Sequence, residues 1–280
     1  MLRSSRDGLS YYSGQKLPVS VDSSLLEALQ TAAANASLPS PGLPSGLLIN
    51  SAVFLLGIKV LLKGLTVGGV LNSWLLGTLV YSAFGPGGYL LVCLYFIFGS
   101  AVTKVKLAQK QKEGIAEARS GRRSVGSVWG SGLAGMTCAL AALATGDISY
   151  WQIGFVASFS SKLSDTVSSE IGKAYGKTTY LCTTLQRVPR GTEGAVSAEG
   201  TAAGALAAAA FAAIAFAIGQ VDLTGVAIVS IAAVIANFVE SVLGASIQGN
   251  VDWLTNDVIN MIQISLAAVL AIGLRATWAA

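Results

Sequence analysis

Residues 198–218 read AEGTAAGALAAAAFAAIAFAI, a stretch that indicates a membrane-spanning helix. A helix needs roughly 20 mainly apolar residues to cross the hydrocarbon core of a bilayer, and the single charged side chain here, Glu199, lies at the start. A strand of a membrane barrel would alternate polar and apolar residues, whereas this stretch is apolar on every side. Since lipid offers the backbone no hydrogen bonds, these residues predict a helix.

The composition of the whole chain agrees with this interpretation. Of the 280 residues, 53% are hydrophobic and 11% are charged, and the mean hydropathy is +0.64, whereas a water-soluble domain carries about 25% charged residues. The apolar segments that we count as spans are 47–62, 65–84, 87–102, 125–145, 151–168, 198–218, 223–247 and 258–274. We therefore predict an all-α fold, a polytopic transmembrane helix bundle of about eight spans.

The charges indicate how these spans are oriented. Eight crossings place one set of cations on a single face of the membrane: Lys59, Lys63, the basic run 104–123, and the loop with Lys173, Lys177, Arg187 and Arg190. The opposite turns, at 85–88, 146–147 and 220–222, contain no lysine or arginine. The positive-inside rule therefore predicts that the basic face lies in the cytosol or its organellar equivalent, with both termini on the other side. The lipid bilayer is a predicted partner, nucleic acid is not, and the oligomeric state is left open.

Residues 1–46 differ in kind from the remainder. They are rich in Ser, Ala, Leu and Pro, and segment 23–34 has the pattern of a short amphipathic helix. We interpret 1–46 as an N-terminal tail, either the remnant of an organellar transit region or an ordinary flexible terminus. Residues 47–280 then form the membrane domain.

Several chemistries are excluded by residue type. The sequence has no histidine, which removes Ser-His-Asp catalysis and histidine-bound zinc. Cys93, Cys138 and Cys182 have no CxxC spacing, so they predict neither a disulfide framework nor a metal cluster. Segment 172–178, GKAYGKT, imitates a phosphate loop, but the Walker A motif has four residues between its glycines and follows a strand.

The loop before residues 198–218 concentrates charges and glycines. Residues 187–200 read RVPRGTEGAVSAEG, and such residues suit the binding of a phosphate and a metal ion at a membrane surface. Ser197 is predicted to cap the next helix, whose N-terminus would bind phosphate. Because the loop lies outside the predicted spans, we expect Gly194→Val to block triphosphate binding without unfolding the protein. An ordinary solvated loop is the alternative interpretation.

Three clusters of polar residues are predicted to face the same side of the membrane. Helical spacing places Asp165, Ser169 and Lys173 on one face of the fifth span. The second cluster lies on one face of the seventh span and comprises Asn237, Glu240, Ser241 and Gly244. The third lies at the start of the eighth span and comprises Asn256, Asp257 and Asn260. A carboxylate within an apolar span is costly and is therefore a functional candidate. Helix capping and hydrogen bonding between helices are the structural alternative.

Together these motifs resemble a known family. The residues concerned are Ser164-Asp165-Thr166, Glu170-Ile171-Gly172, Thr183-Thr184, 189–197, Gly200, Glu240-Ser241, Gly244-Ala245, Gln248, Thr255-Asn256-Asp257 and Asn260. They are similar to an integral-membrane family long catalogued as a domain of unknown function, which includes the phytyl-phosphate kinases of plants and cyanobacteria. Gly121-Arg122-Arg123 also fits, whereas Trp129-Gly130-Ser131-Gly132 replaces the Ala-Asn-Gly of many relatives and leaves the role of the fourth span open.

The resemblance implies transfer of a phosphoryl group from a nucleoside triphosphate to phytyl phosphate, which yields phytyl diphosphate for tocopherol synthesis. A phosphomonoester, with a second pKa of about 6, is largely ionised near neutrality, so a kinase without histidine needs no strong general base. CTP is a candidate donor by analogy with polyprenol kinases, but the sequence does not identify the base. The implied location is a chloroplast membrane, with a cyanobacterial membrane as the alternative.

The predicted roles are as follows. The catalytic residues are Asp165, Glu170, Arg187, Arg190, Glu193, Glu240 and Asp257. The substrate or nucleotide ligands are Ser169, Lys173, Lys177, Thr183, Thr184, Gly191, Thr192, Gly194, Ser197, Glu199, Gly200, Asn237, Ser241, Asn256 and Asn260. Mg²⁺ is the predicted cofactor, held by Asp165, Glu240 and Asp257. Two alternatives stay open, a CTP-dependent prenyl alcohol kinase and a transporter of lipid phosphates or anions.

Overall fold

The structure is a computed structural model that describes residues 40–117, 121–247, 251 and 253–278. Most of the predicted tail, including segment 23–34, lies outside the described residues. So do residues 118–120 of the basic run and Gln248 of the family motif. All eight predicted spans lie within the described residues.

Nearly all of the regular structure is helical, which confirms the predicted all-α polytopic bundle. The helices are α1 (Gly42–Gly64), α2 (Val67–Thr103), α3 (Leu107–Lys112), α4 (Val125–Thr145), α5 (Ile148–Tyr175), α6 (Ala198–Ala217), α7 (Leu223–Ser246) and α8 (Asn256–Trp278). A two-stranded antiparallel hairpin, β1 (Tyr180–Leu181) and β2 (Ala195–Val196), lies between α5 and α6.

Six of the described helices are long and apolar enough to cross a membrane, namely α1, α2, α4, α6, α7 and α8. Helix α2 is folded in two, because Gly85 has a φ of 66° directly before Pro86. Its two arms lie side by side, since Gly69 in the first arm and Gly99 in the second both pack against Arg123. The arms correspond to the predicted spans 65–84 and 87–102, while a total of eight crossings stays a prediction.

Helix α1 begins at Gly42, earlier than the predicted start at residue 47. Pro44 is tolerated there because the first turn of a helix has no backbone N–H bonds to lose. The buried side chain of Asn50 joins α1 to both arms of α2. Its Nδ2 donates to the Thr78 hydroxyl at 2.9 Å, and its Oδ1 accepts from the Tyr89 hydroxyl at 2.7 Å.

Helix α5 lies at the centre of the bundle and packs against α2, α4, α6, α7 and α8. Its middle carries polar side chains that are nevertheless buried. The Ser160 hydroxyl donates to the Ala208 carbonyl at 3.2 Å, and the Ser161 hydroxyl donates to the Ala233 carbonyl at 3.4 Å. Because neighbouring helices surround α5 and satisfy these groups, it can remain less apolar than the helices that face lipid.

The basic segments meet at one end of the bundle, as the charge pattern predicted. The backbone N–H of Thr66, after α1, donates to the Arg123 carbonyl at 3.0 Å. The Lys106 ammonium donates to the carbonyl of Ala174, near the end of α5, at 3.0 Å. We call this the basic end. At the opposite end, Arg275 forms an ion pair with Asp222 at 2.8 Å.

Candidate functional site

A cavity of about 210 Å³ lies at the basic end. Its walls come from α2, α4, α5, α7 and α8, from the segment before α4 and from the loop before α6. The three polar clusters predicted on the fifth, seventh and eighth spans meet there. They do so because α7 and α8 both pack against the central helix α5.

Most of the predicted site residues line this cavity. They are Asp165, Ser169, Glu170, Lys173, Gly191, Thr192, Glu193, Gly194, Ser197, Asn237, Glu240, Ser241, Asn256, Asp257 and Asn260. Residues from α7 and α5 are also hydrogen-bonded to each other, since Asn237 Nδ2 donates to the Ser164 hydroxyl at 3.1 Å. The cavity therefore brings together groups that are far apart in the chain.

Other predicted residues lie outside the cavity lining, and these are Lys177, Thr183, Thr184, Arg187, Arg190, Glu199 and Gly200. Arg190 forms a two-pronged ion pair with Glu113, at 2.9 and 3.0 Å, and donates to the Lys173 carbonyl at 3.1 Å. Arg187 donates to the Thr178 hydroxyl at 3.5 Å. Arg190 therefore ties the segment after α3 to the end of α5, and its role in catalysis stays a prediction.

Lys162 is a cavity residue that the sequence analysis missed. It lies in α5, is largely buried, and places its Nζ 2.5 Å from Asp165 Oδ2. The sequence does contain a signal for Lys162, because an ionisable side chain within an apolar span is a functional candidate and this one lies three residues before a carboxylate. Lys162 gives the cavity a cation at the depth of the predicted metal ligand Asp165.

Arg123 is a second cavity cation that was given no role. Its guanidinium lies 4.5 Å from the centre of the Tyr95 ring and donates to the Tyr95 hydroxyl. The Ser131 hydroxyl accepts from both, at 2.8 Å from the Tyr95 oxygen and 3.5 Å from the Arg123 nitrogen. Ser131 belongs to the stretch that departs from the pattern of many relatives, so α4 does contribute to the cavity.

Glu170 also lines the cavity, but it is held in a buried ion pair. Lys110 of α3 contacts its carboxylate and donates to the Thr103 carbonyl at 2.9 Å. Thr103 is the last residue of α2, so the pair fastens α3 to both α2 and α5. This geometry gives Glu170 a structural contact, and its catalytic role stays a prediction.

The glycine loop is shaped by packing. Gly191 and Gly194 have φ values of 85° and 69°, in the region that favours glycine. A methyl group on Gly194 would lie 2.3 Å from the backbone nitrogen of Ala245 in α7. The expectation that Gly194→Val leaves the fold intact is therefore wrong, because the loop is pressed against a helix. The predicted cap is confirmed, since the Ser197 hydroxyl accepts from the Gly200 N–H at 3.1 Å.

Carboxylates are numerous around the cavity. Six line it (Glu117, Asp165, Glu170, Glu193, Glu240 and Asp257), against four cations (Arg122, Arg123, Lys162 and Lys173). Within the part of the chain that the structure describes, no three acidic side chains converge into a ready-made metal cluster. Asn260 is only 5% exposed, and its Oδ1 has no hydrogen-bond partner among the described residues.

This donor set fits Mg²⁺ better than a metal caged by protein alone. Mg²⁺ prefers oxygen ligands and is commonly bound through one or two carboxylates together with water and substrate phosphates. Asp165, Glu240 and Asp257 supply carboxylates from three different helices, and Asn260 supplies an unsatisfied amide oxygen.

Comparison with known proteins agrees with the motifs. Residues 50–268 match the family described as integral membrane protein DUF92. The chain belongs to this family. It is 49% identical over 239 residues to the Arabidopsis thaliana protein "Protein VTE6, chloroplastic". The aligned region covers 83% of this chain and 72% of that protein. No solved structure matches the chain.

Two microbial membrane proteins are also similar to this chain. An uncharacterized membrane protein of Synechocystis is 47% identical over 245 residues, covering 86% of this chain and 94% of that protein. An uncharacterized membrane protein of Methanocaldococcus jannaschii is 28% identical over 204 residues, covering 73% and 83%. The Arabidopsis and Synechocystis relatives, together with the helices long enough to span a membrane, confirm the predicted location, an integral membrane protein of the chloroplast or of cyanobacteria.

Proposed function

We propose that this protein is a membrane-embedded kinase that transfers a phosphoryl group from a nucleoside triphosphate to phytyl phosphate. Its products are phytyl diphosphate and a nucleoside diphosphate. The observation that carries the proposal is the cavity at the basic end, in which four cations and six carboxylates from helices and from the segments between them surround one space. The match to the Arabidopsis protein VTE6 supports a role in vitamin E synthesis.

The charges of the cavity suit phosphoryl transfer. Such reactions depend mainly on positioning and on neutralising the charge of the phosphates. Arg122, Arg123, Lys162 and Lys173 supply positive charge, but five lining carboxylates remain besides Glu170, whose charge is offset by Lys110. Two phosphorylated substrates therefore require additional positive charge. Asp165, Glu240 and Asp257 would hold Mg²⁺, which would offset the charge of the phosphate oxygens.

The proposed reaction requires no proton transfer from the acceptor to the protein. A non-bridging oxygen of phytyl phosphate attacks the γ-phosphorus, and a new P–O–P linkage forms. The bond between the γ-phosphorus and the oxygen that bridges it to the β-phosphorus breaks, and the electron pair leaves with the nucleoside diphosphate. Because the acceptor is largely a dianion near neutrality, no side chain has to remove a proton. This agrees with a chain that has no histidine.

Lys162 is placed to hold the transferring group. Its ammonium is largely buried and 2.5 Å from Asp165 Oδ2, so the carboxylate fixes its position within the cavity. A charge in such surroundings interacts with a phosphate more strongly than it would in bulk water. We therefore expect Lys162 to stabilise charge on the γ-phosphoryl oxygens.

Two other functions make different predictions. A prenyl alcohol kinase would phosphorylate phytol, and a carboxylate would have to accept the hydroxyl proton. A transporter would be expected to place its polar groups near the middle of the bilayer, whereas Glu117, Arg122 and Glu193 lie in segments beyond the long helices. The position of the cavity thus favours surface chemistry on a membrane-held substrate.

The deciding experiment offers the purified protein three acceptors, phytol, phytyl phosphate and farnesyl phosphate, with γ-labelled CTP or ATP and Mg²⁺. We expect label in phytyl diphosphate. Lys162→Met should abolish the transfer, while Lys59→Met, a matched change at an exposed position on α1, should not. Labelling of phytol would establish the alcohol kinase instead. No labelling of any acceptor, together with phosphate uptake into proteoliposomes, would establish the transporter.

A further inference from the structure

Arg123 has only neutral partners in the part of the chain that the structure describes. It donates to the hydroxyls of Tyr95 and Ser131, and none of the ion pairs formed by the described residues includes it. Lys162, by contrast, is already paired with Asp165. The positive charge of Arg123 is therefore available to an anion in the cavity that it lines.

The surrounding side chains hold the guanidinium in one orientation. It lies 4.5 Å from the centre of the Tyr95 ring and 5.7 Å from that of Phe96, so its plane is confined by aromatic side chains. The two hydroxyl contacts both come from Nη1. A guanidinium carries five N–H donors. Those on Nη2 and Nε have no hydrogen-bond acceptor among the described residues, and their fork geometry suits phosphate.

Gly99 provides the space for this arrangement. A methyl group on Gly99 would lie 2.5 Å from Arg123 Nη2, so any larger residue would displace the guanidinium. The atom that must move is the end of a flexible side chain, which makes the change inexpensive for the fold. Gly99→Ala is therefore a means of moving Arg123 without altering its charge.

The position of Arg123 favours a lipid over a water-soluble ligand. Tyr95 is part of the main hydrophobic core and packs edge-on against Phe159. Phe96 packs against a separate apolar cluster formed by Leu65, Val70 and Val128. In contrast, Thr192 and Glu193 on the loop before α6 are exposed. One part of the cavity therefore borders apolar side chains, and another part borders exposed loop residues.

We propose that Arg123 binds the phosphomonoester headgroup of the lipid acceptor, and that Tyr95 and Ser131 are its positioning residues. The triphosphate then enters from the side of the exposed loop. This assignment rests on the proposed kinase function, but it can be tested without turnover because it concerns binding. It also accounts for Gly99, whose lack of a side chain leaves room for the guanidinium.

The first test measures equilibrium binding of four probes to the full-length protein in detergent: phytyl phosphate, phytol, inorganic phosphate and CTP. Arg123→Gln should weaken phytyl phosphate binding by about tenfold or more, as expected for a lost charge-assisted hydrogen bond. The affinities for phytol and CTP should be unchanged. A loss confined to CTP or inorganic phosphate, with phytyl phosphate binding intact, would overturn the proposal.

The second test separates positioning from chemistry. Tyr95→Phe and Gly99→Ala should each raise KM for phytyl phosphate severalfold, with kcat and KM for the triphosphate close to those of the parent. Gly273→Ala, on α8 where a methyl group meets no neighbouring atom, is the matched control and should leave all of these values unchanged. An equal KM for phytyl phosphate in Gly99→Ala and Gly273→Ala, in normally folded protein, would refute the positioning of Arg123.

The outcomes distinguish this inference from the proposed function. Binding of phytyl phosphate that depends on Arg123, in a protein that transfers no label, would refute the kinase and leave the headgroup site standing. Label transfer that is unaffected by Arg123→Gln at low phytyl phosphate would refute the headgroup site and leave the kinase standing.

Discussion

The buried ion pair between Lys110 and Glu170 leads to a quantitative prediction about stability. The two side chains are 1% and 3% exposed, and Lys110 has the Thr103 carbonyl as its other partner. Removing one member of a buried pair leaves an uncompensated charge, which typically costs about 3–5 kcal/mol. We therefore expect Lys110→Met and Glu170→Met each to lower the free energy of unfolding by about that amount.

The double variant is the informative member of this cycle. When both residues are methionine, neither charge is left buried, and replacing a buried pair by apolar residues is often neutral or stabilising. Lys110→Met/Glu170→Met should therefore be more stable than either single variant. The assay is denaturant-induced unfolding in mixed micelles, followed by tryptophan fluorescence. Lys112→Met, at an exposed position on the same short helix, is the control and should change the free energy of unfolding by less than about 0.5 kcal/mol.

Two results would contradict this reasoning. One is a Glu170→Met variant as stable as the parent, which would mean that α3 is not fastened to α5 by this pair. The other is a double variant whose loss equals the sum of the single losses, because independent residues behave additively whereas contacting residues do not.

Two further predictions concern stability elsewhere. Gly194→Val should lower the unfolding temperature clearly, because its side chain meets the Ala245 backbone, whereas Gly57→Val, in open space on α1, should not; equal temperatures would contradict the packing. Burial raises the pKa of Asp222, but hydrogen bonds from Arg275 and the Gly225 N–H outweigh this and hold it below its usual range. The resulting stability is under about 1 kcal/mol for so exposed a pair. It is present above the unfolded pKa of about 3.9 and is lost as pH falls through the lower folded pKa. Asp222→Asn should therefore remove this acid sensitivity below about pH 4, as chemical unfolding would show.

The polar clusters could be predicted from sequence because helical spacing is a local property. Asp165, Ser169 and Lys173 follow one another at intervals of four, so their shared face needs no knowledge of the fold. The gathering of basic segments at one end could also be predicted, since loop charge follows membrane topology. Both features depend only on short-range pattern and on counting spans.

Contacts between distant segments leave no such pattern. Arg190 and Glu113 are 77 residues apart, and nothing in the spacing of either indicates that they pair. The proximity of Arg123 to Tyr95 depends on how α2 folds back at Gly85, which helical periodicity does not show. The tight packing of Gly194 was missed for a related reason, because a glycine-rich segment has the same composition whether it is free or pressed against a helix.

The central claim, that the cavity at the basic end is a phosphoryl-transfer site, depends most on its carboxylates. The most direct measurement compares label transfer from γ-labelled triphosphate to phytyl phosphate by Glu240→Gln and by Asp147→Asn, both at saturating Mg²⁺. Asp147 caps α5 at the opposite end, where asparagine caps equally well. We predict that Glu240→Gln loses about a hundredfold or more in kcat/KM, and that Asp147→Asn retains normal transfer. Full activity of a folded Glu240→Gln variant would contradict the claim.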